Sequence, residues 1–95
     1  MEYIKVNWIH SNLAYPIVLY SELDSARMEV RKVEIFSSGE SNYADQYESK
    51  GDTFLSIVPL PALDKIASDP QFEPTLIEKE EFDIVWDKAT LKSTN

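Results

Sequence analysis

Between Tyr3 and His10 the side chains alternate, with Ile4, Val6 and Trp8 on one face and Lys5 and Asn7 on the other, which predicts a half-buried strand. The segment Ser11–Pro16 breaks that pattern. Ile17 to Tyr20 is a short apolar run bounded by Ser21-Glu22-Leu23-Asp24-Ser25, and it predicts a second strand covered on both faces. From Arg27 to Phe36 the apolar positions are Met28 and Val30, then Val33, Ile35 and Phe36. This is a change of phase at Arg31-Lys32, of the kind a β-bulge produces. The turn Ser37-Ser38-Gly39-Glu40 leads to a weaker strand around Asn42–Asp45, so this half of the chain reads as an antiparallel meander.

Gln46 to Asp52 is polar and reads as a surface loop. Thr53 to Val58 is short, partly β-branched and closed by Pro59, which predicts a further strand. Pro61 then opens a short helix with Leu63, Ile66 and Ala67 on one face, ended by Asp69-Pro70. Gln71–Leu76 reads as an extended connection that pins Phe72 to the core. Ile77 and Phe82 have the spacing of a hydrophobic staple around a cap at Glu78, and Glu80 and Glu81 suit the positive end of a helix dipole. A second helix is predicted over Lys79–Ala89, with Phe82, Val85, Trp86 and Ala89 as its apolar stripe and Lys88 and Lys92 near its C-terminal end. The expected fold is α+β: an antiparallel meander of about four to five strands with two C-terminal helices packed on one face. One domain is expected, its core spanning about residues 3–89 and followed by a frayed tail over 90–95.

Composition narrows the chemistry. Hydrophobic residues make up 43% of the 95-residue chain, enough for one core, and two glycines and five prolines exclude a low-complexity class. No cysteine is present, which removes disulfides, thiolate metal sites and cysteine nucleophiles, and the one histidine removes any site needing two imidazoles. Acidic residues outnumber basic ones 17 to 9, for a net charge of -8, the wrong sign for a nucleic-acid surface. The excess is uneven: residues 1–36 hold five acids and four bases, whereas residues 37–95 hold twelve acids and five bases. Residues 1–20 show neither a basic leader before an apolar core nor an apolar run near the ~20 residues of a membrane helix. A cytoplasmic protein without membrane contact is therefore expected.

Each candidate for chemistry has a plainer counterpart. His10 ends the first strand and is able to serve as a general base only if an acid or nucleophile converges on it; a structural histidine holding a loop is the plainer role. The acids at Asp45, Glu48 and Asp52 and along residues 78–87 do not have the spacing of an EF-hand, so no metal and no cofactor are expected. Trp8, Trp86, Phe36, Phe54, Phe72 and Phe82 lie on predicted inward faces and read as core. Tyr43 and Tyr47 flank Asp45, with Glu48 beyond, in a turn-rich stretch whose composition suits an interface. On the second helix, Glu80, Asp83 and Asp87 accompany Ile84 on the face opposite Phe82 and Trp86, with Leu91 one heptad on. An apolar residue rimmed by carboxylates has the make-up of a protein-binding hot spot, and a solvated helix face with one isoleucine is the alternative.

The strings YIKVNWIH, PIVLYSELD, EVRKVEIF followed by YAD, VPLPALDKIASDPQFEP and KEEFDIVW, in this order, resemble a family of small stand-alone bacterial domains without an assigned activity. The resemblance runs from Tyr3 to Ala89; Met28, where a bulkier aromatic is expected, and the Ser11–Tyr15 loop depart from it. It carries no catalytic residue across. It implies a bacterial, cytoplasmic setting and a likeness in size and charge to immunity proteins that accompany secreted or contact-delivered toxins. The leading expectation is a non-enzymatic toxin inhibitor that binds a basic effector, with a nuclease as the favoured kind, through Glu80, Asp83, Ile84 and Asp87 and, as a second patch, Tyr43, Asp45, Tyr47 and Glu48. The alternatives are a small-ligand or enzymatic site around His10, and an adaptor subunit.

Overall fold

Two adjacent residues of the first strand define the architecture. Tyr3 and Ile4, neighbours in β1 (Glu2–Trp8), point to opposite faces of the sheet, and each belongs to a different apolar cluster. The structure is a computed structural model in which residues 1–91 are described; the tail expected at its end lies, from Lys92 on, outside the described residues. β1 pairs with β2 (Val18–Leu23), β2 with β3 (Glu29–Ile35) and β3 with β4 (Ser41–Ala44), so the predicted meander is present. After a helical turn, α1 (Leu63–Ala67), the chain adds β5 (Phe72–Ile77) to the free side of β1 and closes with α2 (Lys79–Thr90). The sheet order is β4-β3-β2-β1-β5, antiparallel throughout.

The α+β class and the five-stranded antiparallel sheet stand as expected; the placement of the helices does not. They cover opposite faces. Phe82 and Ala89 of α2 are buried with Tyr3, Tyr20, Val33 and Tyr43, whereas Leu63 and Ile66 of α1 pack with Ile4, Val6 and Leu23. The reason lies in the central strands, which are apolar on both sides and leave neither face fit for solvent. Thr53–Val58 is not a strand. The outer side of β4 is already occupied by the Ala44–Ser49 bridge, and residues 53–61 instead run as a strap fixed by side chains. Nor is 72–77 a mere connection: it is the edge strand β5, where a proline at position 74 is tolerated. Phe54, expected in the core, is 73% exposed on the strap.

The phase change in β3 is a bulge, set slightly earlier than the sequence places it: Glu22 faces Arg31 and Leu23 faces Glu29, leaving Val30 as the extra residue. Its consequence is directional. Arg31 points to the α2 side with Glu22, while Glu29 is turned to the α1 side with Lys32 and Ser21.

Candidate functional site

The seat of α2 is a polar row across three strands. Tyr3, Glu22 and Arg31 are aligned in register, and the Tyr3 hydroxyl donates to Glu22 Oε2 at 2.8 Å. Arg31 donates to both Glu22 oxygens, at 2.6 and 3.1 Å, and reaches Asp83 Oδ1 of α2 at 3.1 Å. Its guanidinium also lies over the Phe82 and Trp86 rings, 4.8 and 5.1 Å from their centroids, so it packs as well as pairs. Lys79, one turn back, donates to Asp83 Oδ2 at 2.6 Å. Burial pushes the Glu22 carboxyl up, but the hydrogen bonds from Arg31 and Tyr3 outweigh it and hold the group below its ordinary value. Asp83 is also held low, by the hydrogen bonds from Lys79 and then Arg31, and burial next to Glu22 raises the Tyr3 phenol.

Asp83 thus belongs to the fold rather than to an open binding face. The other residues picked from α2 do lie outside: Glu80 and Asp87 are exposed, and Ile84 between them is 59% exposed. Neither Glu80 nor Asp87 forms an ion pair among the described residues, whereas Asp83 forms two. Three of the four predicted helix residues therefore share one solvent-facing surface. The staple is formed as expected, with Ile77 packed on the cluster that contains Phe82, although the Glu78 side chain makes no capping bond.

The second patch divides. Tyr43 is a core residue, 5.5 Å from the Trp86 ring in an edge contact, because β4 places it on the inward side of the sheet. Its hydroxyl donates to Glu48 Oε1 at 3.0 Å, and that bond raises the phenol's pKa. Asp45 is spent locally, its Oδ1 accepting from the backbone N–H groups of Tyr47 and Glu48. Tyr47 projects outward, 84% exposed, beside the exposed Glu48. His10 is similarly engaged: Nδ1 accepts from Asn12 N–H at 3.0 Å and Nε2 lies 2.8 Å from Pro16 O, an arrangement that ties down the Ser11–Pro16 loop. Among the described residues no group of three or more acidic or histidine side chains is placed to hold a metal ion, and no helix is long and apolar enough to cross a membrane.

The deepest chemistry lies on the side that the sequence did not single out. A cavity of about 380 Å³ opens between the sheet, the strap and α1, walled by Val6, Leu19, Leu60, Ile66 and Phe72. At its polar end Glu29, whose side chain is only 3% exposed, accepts from Ser21 Oγ at 2.9 Å and from Ser56 N–H at 2.7 Å and forms an ion pair with Lys32 Nζ at 3.2 Å. The strap along one side of the cavity is anchored by Arg27, which donates to Leu60 O and Pro61 O, and by Thr53 on Glu34. The signal for this site was the phase change itself, since only a bulge turns Glu29 toward Lys32.

A small antiparallel sheet bearing an acidic outer helix on one side and a strapped apolar cavity on the other defines a compact α+β domain with two unlike surfaces. The chain belongs to the family described as Domain of unknown function (DUF6881), which matches residues 2–91. No curated protein and no solved structure matches it.

Proposed function

We propose that the protein is a non-enzymatic binding module whose outer α2 surface docks on a basic protein. The observation that carries this reading is Ile84, exposed between Glu80 and Asp87, two carboxylates without an ion pair among the described residues. Such a surface offers an apolar contact within an electrostatic rim, and a net charge of -8 steers a cationic partner toward it. In its finer form the partner is a bacterial toxin effector met in the cytoplasm. A nuclease effector must present a basic cleft to its nucleic acid, and an acidic plug occludes such a cleft without chemistry of its own. Tyr47 is a second contact; Asp83 and Tyr43 act indirectly, by holding α2 on the sheet.

The test is co-expression with the product of a neighbouring gene that is basic and toxic alone, followed by calorimetry at low and high salt. The Glu80→Lys, Asp87→Lys double variant should weaken the complex by about 2 kcal/mol or more while circular dichroism shows the fold intact. Affinity unchanged in that variant, or a binding constant insensitive to salt, removes α2 from the interface.

A further inference from the structure

The cavity beneath α1 lies on the face opposite α2, and its hydrogen-bonding capacity is unevenly used. Both Glu29 oxygens are occupied: Oε2 accepts from Ser21 Oγ, and Oε1 faces Ser56 N–H and Lys32 Nζ. Ser56 Oγ is spent on Val58, donating to its carbonyl. Lys32 is the exception. Its side chain is 16% exposed, and among the described residues its one polar partner is Glu29 at 3.2 Å, longer than a good charge-assisted bond. An ammonium has three N–H groups, so two are left to aim at whatever fills the polar end. Lys65, on the α1 rim of the same cavity, forms no ion pair among the described residues and adds a second cation. The rest of the wall is apolar except for Asp69 on the rim, whose Oδ1 accepts from Gln71 N–H, and the volume lies within the range of small-molecule sites.

Unspent donors at one end and hydrocarbon along the sides fit an acceptor that is charged at one end and greasy at the other. The geometry points to a binding site for a small amphipathic carboxylate, its headgroup on Lys32 with Lys65 above and its chain between Val6, Leu19, Ile66 and Phe72. Glu29 fixes Lys32 in place, as a positioning residue. Repulsion between Glu29 and the incoming carboxylate is offset by the charge of Lys32, already paired with Glu29, and by the second cation at Lys65. This site is independent of the reading of α2, and either can fail alone.

Octanoate, octan-1-ol and octylamine serve as probes, followed by amide chemical shifts of the full chain. Octanoate should give saturable shifts at Ser21, Lys32 and Ile66 and none along α2, with the alcohol weaker and the amine weakest. Lys32→Gln should weaken octanoate roughly tenfold or more while leaving the alcohol unchanged, the size expected for one hydrogen bond between charged groups. Should Lys32→Gln fail to fold, Lys65→Gln on the exposed rim and the headgroup series on the unmodified protein decide instead; Lys65→Gln should weaken octanoate and spare the alcohol. Equal binding of all three headgroups, shifts centred on α2, or no saturation would overturn the assignment.

Discussion

Arg27 offers a sharp perturbation of the strap. Two of the hairpin turns have the same build: in each, three residues sit inside a closing pair, Asp24–Met28 in one and Phe36–Glu40 in the other, and the last of the three has a positive φ. In the second turn that residue is Gly39 at +92°, as glycine's missing Cβ favours; in the first it is Arg27 at +64°. The left-handed conformation costs an L-residue about 1 kcal/mol. Arg27 offsets this through its side chain, which donates to Leu60 O at 2.9 Å and Pro61 O at 2.7 Å and pairs with Glu2. Two bonds from a charged donor contribute roughly 1.5 kcal/mol each, and the half-exposed ion pair less than about 1. Arg27→Ala keeps the strain and loses the anchors, so it should cost about 3 kcal/mol. Arg27→Gly loses the anchors but relieves the strain, so it should cost about 2 kcal/mol. Urea unfolding followed by Trp8 and Trp86 fluorescence measures both. A glycine variant as stable as the original protein refutes the anchoring role, and an alanine variant no worse than glycine refutes the strain.

Glu22 and Asp83 both have folded pKa values below their ordinary ones, so the stability they supply is complete above the unfolded values near 4 and is lost as pH falls through the depressed folded values. An acid titration of Trp86 fluorescence should show this loss, and Glu22→Gln should flatten it; an unaltered acid limb would contradict the assignment. Pro74 guards the open edge. Ile9 N–H donates to Gln71 O, so by alternation Glu73, Thr75 and Ile77 bond toward β1, while Phe72, Pro74 and Leu76 face outward, with Phe72 N–H already given to Asp69 O. Pro74→Val restores an outward donor beside Leu76, and sedimentation should then show self-association that the original chain lacks at the same concentration. Gly39 and Gly51 both have positive φ, but a Cβ at Gly51 would lie 2.4 Å from Asn42 Nδ2, whereas at Gly39 it would meet nothing within 4 Å. Gly51→Ala should therefore lower the melting temperature more than Gly39→Ala, and the reverse order would show that Asn42 swings aside freely.

What the sequence revealed depended on how local the signal was. β1 and α2 were legible because their patterns are complete in themselves: alternation over Tyr3–Trp8, and a staple plus a stripe from Ile77 to Ala89. β5 was hidden because Glu73 and Pro74, in its middle, have weak strand character; they pair because β1 offers an open edge in register. Thr53–Val58 misled in the opposite sense, with strand-like composition but with the outer side of β4 already taken by the Ala44–Ser49 bridge. Ile57, 89% exposed, and Phe54 lie outward because hydrogen bonds to Glu29 and Glu34 set the strap's path. Tyr43, picked as an interface residue from its acidic, turn-rich surroundings, is core because within β4 it points inward against Trp86. Of the α2 surface, Glu80, Ile84 and Asp87 were placed correctly by helical spacing alone; Asp83 was not, because Arg31 lies 52 positions away in sequence.

Asp87 provides a test that separates binding from folding. It stands in the last turn of α2, where the helix dipole disfavours a negative charge, and it is exposed without an ion pair among the described residues. Three less exposed acids behave differently: Glu22, Glu29 and Asp83 each have a cation beside them within the fold. A residue that breaks a local rule without a compensating contact is a place to test for a role outside the folded chain. Asp87→Lys should accordingly stabilise the protein slightly, by about 0.5 kcal/mol, through the dipole, with thermal unfolding at low salt as the readout. The same substitution should weaken association with a basic partner, since it reverses one charge of the rim around Ile84. Opposite signs in the two measurements identify Asp87 as a binding residue; a loss of stability equal to the loss of affinity would show that the carboxylate supports α2 itself and that the outer surface has no separate function.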